Sequence, residues 1–205
     1  MAAAVKRRSQ AERREEAETR LIQAATKLVA ERGYGGFTLA EVSDAAGYSR
    51  GLPGHYFGSK EDLLALVVQT AVENYRNAVA QLPAAEPGMP KIAALIRRYV
   101  HKRGMTTTRA FGMLISEAMV RPRLKRTITT LNASGLAALK ADLQAGIEAG
   151  NIRPDVDIDL QARMIYAFLR GQMLFAGLDN QFDGQAVGEE FIATLEARLT
   201  PSRKI

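Results

Sequence analysis

Two histidines, His55 and His101, and no cysteine leave this 205-residue chain little with which to build a metal centre, a thiolate nucleophile or a histidine general base. Its chemistry-bearing residues are instead cations and hydroxyls. Lys6, Arg7 and Arg8 head the chain, and Thr38, Ser49, Arg50, His55, Tyr56 and Lys60 gather between positions 38 and 60, with Gly51 and Leu52 among them as further candidate contacts through backbone and apolar surface. Such groups suit a polyanion. Helix-start hydroxyls and amides receive phosphate, an arginine forks onto the O6 and N7 of guanine, and tyrosine, histidine or lysine meets backbone phosphate or a thymine methyl. Each also has a purely structural role open to it, Thr38 as a plain helix N-cap being the simplest.

A second set consists of polar and aromatic side chains embedded in apolar runs, the pattern of a ligand cavity between helices. Glu117 lies within the run Phe111-Gly112-Met113-Leu114-Ile115-Ser116-Glu117-Ala118-Met119, and Arg170 lies within the run from Met164 to Leu178, which also holds Tyr166 and Phe175. His101, Phe111, Met113, Glu117, Tyr166, Arg170 and Phe175 are the candidate ligand contacts, and methionine with aromatics favours a small apolar or aromatic molecule. Two structural arrangements compete with this one. Glu117 and Arg170 pair with each other or with a partner subunit, since a buried charge needs a counter-ion, and His101, beside Lys102 and Arg103, serves a helix C-terminus. The alternative function classes are a helical enzyme, with Glu117 and Asp142 as acid and base, and a protein-interaction bundle without DNA binding. No catalytic residue, metal or cofactor is expected.

The net charge of +6 and pI near 9.7 are unevenly spread. Residues 1–60 hold ten Lys and Arg against seven Asp and Glu, whereas residues 151–199 hold four against eight. A basic front and an acidic back suit a protein that meets phosphate with one end. With no apolar run long enough to span a bilayer and a basic, h-region-free start, a cytoplasmic protein with no membrane partner is expected.

The elements that must position these groups are helices. Apolar residues recur with helical period almost throughout, and no alternating run bounded by hairpin turns asks for a strand, so the class is all-α with about nine helices. Ser9 and Glu12 have capping-box spacing ahead of an apolar stripe (Ala17, Leu21, Ala24, Ala25, Leu28, Val29) that Gly33 ends. Thr38 and Glu41 repeat the box, with Phe37 and Val42 spaced as a hydrophobic staple, and Gly47 must end that short helix. Ser49 is expected to cap a third helix reaching Tyr56, and Ser59 opens a fourth running toward Leu82. Pro83, Pro87, Gly88 and Pro90 break the chain before five further helices over 92–103, 106–119, 123–149, 156–178 and 186–199. Residues 38–57 thus have the layout of a helix-turn-helix, whose second helix can enter a major groove.

The order Phe37-Thr38-Leu39-Ala40-Glu41-Val42-Ser43-Asp44-Ala45-Ala46-Gly47-Tyr48-Ser49-Arg50-Gly51, continued by His55-Tyr56-Phe57-Gly58-Ser59-Lys60-Glu61-Asp62-Leu63-Leu64, resembles the DNA-binding signature of TetR-family regulators over about residues 17–65. The resemblance implies a homodimer that binds double-stranded operator DNA. It further implies a DNA-binding domain at 1–65, an effector-binding and dimerisation domain at 66–205, and a small-molecule effector that releases a repressor from its operator. On that reading Ser49 and Arg50 begin the recognition helix, Arg50 reads guanine, and Lys60 faces the same strand. One stretch departs from the family pattern, Gly51-Leu52-Pro53-Gly54-His55, where Pro53 is expected to distort a helix capped at Ser49. For the dimer, Ala162, Ala167, Gly171 and Gly177 allow close approach, and Phe191, Ile192, Leu195 and Leu199 form a stripe that either a partner or the chain's own core can cover.

Overall fold

The computed structural model describes residues 9–80, 85–101, 106–179 and 181–201. Among the described residues nine helices follow one another: α1 (Gln10–Arg32), α2 (Leu39–Ala46), α3 (Leu52–Phe57), α4 (Lys60–Ala80), α5 (Met89–His101), α6 (Thr106–Glu117), α7 (Pro122–Glu148), α8 (Ile158–Leu178) and α9 (Gly184–Leu199). Lys6, Arg7 and Arg8 lie outside the described residues.

Both capping boxes form. The Ser9 hydroxyl accepts from the Glu12 amide at 3.1 Å, and the Glu12 carboxylate accepts from the Ser9 amide at 2.6 Å. Thr38 and Glu41 repeat the exchange at 3.2 and 2.8 Å, and the staple pair Phe37 and Val42 is buried beneath them. Gly47 takes the left-handed conformation (φ 77°, ψ 31°) that closes α2 and lets the Tyr48 amide reach the Ser43 carbonyl at 2.9 Å.

The third helix begins later than expected. Ser49 and Arg50 sit in the turn, Ser49 caps nothing, and α3 starts at Leu52 after Gly51. Pro53 therefore falls on the second helical residue, where the missing amide would have had no acceptor, and its ring is buried; it initiates the helix instead of distorting it. A proline is absorbed the same way in α5, which starts at Met89 with Pro90 in its first turn. Asn151 secures that start from afar, accepting from the Met89 amide at 3.1 Å and donating to the Pro87 carbonyl at 2.8 Å.

Two apolar cores hold the helices. The first joins α1 to α4 with α6 and the start of α7 through Leu21, Val29, Val42, Leu63, Leu114 and Leu124. The second joins α5, α7, α8 and α9 through Ile92, Ile96, Leu143, Ile165, Ile192 and Leu195. Each such side chain contributes roughly 1.5–3 kcal/mol on full burial. Most of the α9 stripe offered to a partner is thus used within the chain: Ile192, Leu195 and Leu199 are buried, and Phe191 stacks on Phe168 at 3.8 Å. Helix α4 runs unbroken across residues 65 and 66, and the first core continues past that point into α6.

Candidate nucleic-acid interface and ligand cavity

The turn between α2 and α3 presents a polar face. Thr38, Ser49, Arg50, Gly51 and His55 are exposed, with Leu52 and Tyr56 half-buried beside them. The Arg50 side chain is 79% exposed, and its Nε lies 3.6 Å from the Asp44 carboxylate across the turn. An exposed pair of this kind is worth at most about 1 kcal/mol, so the guanidinium stays available to a phosphate or base edge. The Thr38 hydroxyl already holds the Glu41 amide and carboxylate, which satisfies its capping role. Tyr56 lies under the Arg14 guanidinium at 5.6 Å and edge-on to His55 at 6.0 Å. Arg14 of α1 thereby joins this face.

Lys60 points into the protein. Its ammonium donates to the Phe37 carbonyl and stands over the rings of Phe37 at 3.9 Å and Tyr34 at 5.0 Å. Burial first, and then the positive charge of Arg121, lower its pKa from the ordinary lysine value. Arg121 itself covers the Tyr34 ring at 3.6 Å and pairs with Glu117 at 3.0 Å. Glu117 is thus committed one turn along the chain, and neither a Glu117–Arg170 pair nor a joint acid–base site with Asp142 forms. Arg123 pairs with Asp62 at the start of α4. The corner between α6 and α7 therefore grips both the α1–α2 loop and the first turn of α4.

A cavity of about 820 Å³ opens among α4, α5, α6, α7 and α8. Of the seven predicted ligand contacts, it takes in Phe111, Tyr166 and Arg170. His101, Met113, Glu117 and Phe175 do not line it: His101 is exposed at the end of α5, Met113 packs against the first core, Glu117 is held by Arg121, and Phe175 is 58% exposed on the outside of α8 against Phe182. Sequence reasoning missed Arg76, Tyr99, Ser134 and the Lys91–Asp142 pair, all on the lining. The small Gly135, Ala138 and Ala141, spaced on one face of α7, are the signal that could have found that wall; a Cβ on Gly135 would stand 2.7 Å from the Tyr166 ring.

Inside the cavity Arg170 is the hub. One of its terminal nitrogens donates to the Asn132 side-chain oxygen at 3.1 Å and to the Tyr166 hydroxyl, while Tyr166 donates to the same Asn132 oxygen at 2.8 Å. Its guanidinium lies 4.9 Å from the Phe111 ring centroid and 4.7 Å from that of Tyr166. Burial raises the Tyr99 pKa above the ordinary phenol value, against the opposing pull of Arg170, so Tyr99 is a neutral donor at neutral pH.

A family model described as bacterial regulatory proteins of the tetR family matches residues 21–67, and one described as the tetracyclin repressor-like C-terminal domain matches residues 91–189. The HTH-type transcriptional regulator CymR of Pseudomonas putida is 51% identical over 59 residues, a match that spans 29% of this chain and only 29% of that relative's own length. Among solved structures, a TetR transcriptional regulator from Chloroflexus aurantiacus superimposes with a TM-score of 0.79 at 23% identity, covering 92% of this chain and 98% of its own. A transcriptional regulator from Saccharomonospora viridis in complex with choline superimposes with a TM-score of 0.76 at 17% identity, covering 92% and 100%. At such identities the likeness establishes the fold.

Proposed function

The chain belongs to the TetR family of bacterial regulatory proteins, and from that premise we propose that it is a cytoplasmic, homodimeric transcriptional repressor, released from its operator when a small molecule with an apolar or aromatic body fills the α4–α8 cavity. Residues 1–65 act as the DNA-binding domain and residues 66–205 as the effector-binding and dimerisation domain. Thr38, Ser49, Arg50, Gly51, Leu52, His55 and Tyr56 meet the duplex, Lys6, Arg7 and Arg8 add phosphate contacts, and Lys60 supports the face from behind. It is a regulator, not an enzyme. The observation that carries the reading is the exposed turn face itself, an arginine 79% exposed and held only by a surface pair with Asp44, set between a capped helix and a second helix.

The route from cavity to turn is short. Ala71, Val72 and Arg76 of α4 and Phe111 of α6 line the cavity, while the same two helices pack on α1 through Leu63, Leu64, Ala110 and Leu114. A ligand that fits better when α4 or α6 is displaced shifts the two DNA-binding domains away from the half-site spacing of about 34–36 Å that successive major grooves demand.

The test is mobility of the duplex flanking the protein's own gene, titrated at two salt concentrations against unrelated DNA. Selective retardation that weakens with salt is the expected result. Arg50→Ala should lose about 1–3 kcal/mol of specific binding with an unchanged helical spectrum. Equal affinity for all duplexes would overturn operator binding, and an unaltered Arg50→Ala would remove Arg50 from base recognition.

A further inference from the structure

The cavity lining carries an imbalance of charge. Among the described residues three cations, Arg76, Lys91 and Arg170, face it, and one carboxylate, Asp142, which is paired with Lys91 at 2.5 Å. Arg76 has a neutral partner, the Ser134 hydroxyl at 2.6 Å. Among the described residues Arg170 likewise has only neutral partners, namely the Asn132 amide oxygen, the Tyr166 hydroxyl, Tyr99 and two ring faces. A guanidinium carries five N–H donors, so the bonds to Asn132 and Tyr166, made from one terminal nitrogen, and the bond to Tyr99 leave donor capacity for a further partner. Arg170 is half-buried on a wall it shares with Ile165, Leu169 and Met173, and the partial loss of water around its charge costs free energy that hydroxyls and rings offset in part and an anion would offset further.

We propose that the effector is an organic anion, an apolar body ending in a carboxylate or similar oxyanion whose head group takes the free side of the Arg170 guanidinium. Asn132 and Tyr166 hold that guanidinium in place, Phe111 flanks it, and the apolar wall of α5, α7 and α8 receives the body. This assignment rests on the ligand-responsive reading above and names the chemistry of its ligand. It also sets the chain apart from the structural neighbour that holds choline, a cation.

The experiment compares two dyes of one body, anionic 8-anilinonaphthalene-1-sulfonate and uncharged N-phenyl-1-naphthylamine, by fluorescence titration of the full chain. The anion should bind at one site per chain at least tenfold more tightly than the neutral dye. Arg170→Met should erase that preference while leaving the neutral dye bound. Asn132→Asp, nearly isosteric, retains the arginine and supplies the missing counter-ion beside it, and it too should lower anion affinity at least tenfold with neutral-dye binding intact. Equal affinity of the two dyes, or a preference that survives both substitutions, would overturn the anion assignment and leave the cavity as an effector site. Binding of neither dye would overturn the effector cavity itself.

Discussion

One carboxylate, that of Glu41, ties three parts of the DNA-facing module together. It accepts from the Thr38 amide at 2.8 Å and from the Thr38 hydroxyl at 3.0 Å, and it receives the Arg32 guanidinium at 2.9 Å, so the end of α1 is fastened to the start of α2. The bonds from Thr38, reinforced by Arg32, hold its pKa below the ordinary glutamate value. A carboxyl with a depressed folded-state pKa contributes stability that is fully present above its unfolded value and is lost as pH falls through the folded one. Glu41→Gln keeps the cap's shape but loses the charge. Its melting temperature should therefore lie below that of the wild type at pH 7, and the two should converge as pH drops through the carboxylate range. Thermal melts between pH 7 and pH 3 check this, and a gap that persists undiminished at pH 3 would contradict it.

At the scale of elements, features fixed by neighbours in sequence were legible and those fixed by neighbours in space were not. Both capping boxes, the staple and the Gly47 stop depend on residues within one turn, and all form as read. The start of α3 was misplaced because serine is a good N-cap in isolation, whereas Pro53 has to fall in the first turn of its helix and its ring is buried, which together set the start at Leu52. The cavity was half legible: Phe111, Tyr166 and Arg170 stand out in their own helices, but Arg76 and Tyr99 matter only because α4 and α5 face α8 across the space that small α7 residues leave open. A second effect of small residues is the crossing of α7 with the turn before α5. A Cβ added to Gly146 would stand 2.6 Å from the Gly88 Cα and 2.5 Å from the Ile152 Cδ1, too close to backbone to relax cheaply. Gly146→Ala should accordingly cost about 1–3 kcal/mol despite its better helix propensity, read as a lowered denaturation midpoint at constant slope. An unchanged or raised midpoint would show that the turn can move aside.

For the whole molecule, the proposed dimer has to find a face on which its two subunits can meet. Leu160, Met164, Leu174, Phe175 and Leu178 of α8 are exposed large apolar residues, and with Ala167 and Gly171 they fall at spacings of three and four along one face. Val187 at the start of α9 adds to the set. A run of this kind is more than scattered surface leucines and offers the proposed dimer a face, and the small residues at 167, 171 and 177 permit close approach between helices. The partner contact is thus expected on the outer face of α8, not on the α9 stripe that the chain's own α5 covers. Phe175→Glu tests the distinction. Because Phe175 is 58% exposed, the change should leave the helical spectrum of the chain intact while converting a dimer to a monomer in sedimentation and sharply weakening binding to a two-half-site duplex. Leu195→Glu, at a position only 2% exposed, should instead unfold the α5–α9 core. A Phe175→Glu protein that still sediments as a dimer would move the interface elsewhere on the surface, and with it the lever by which a filled cavity resets the spacing of the two turns.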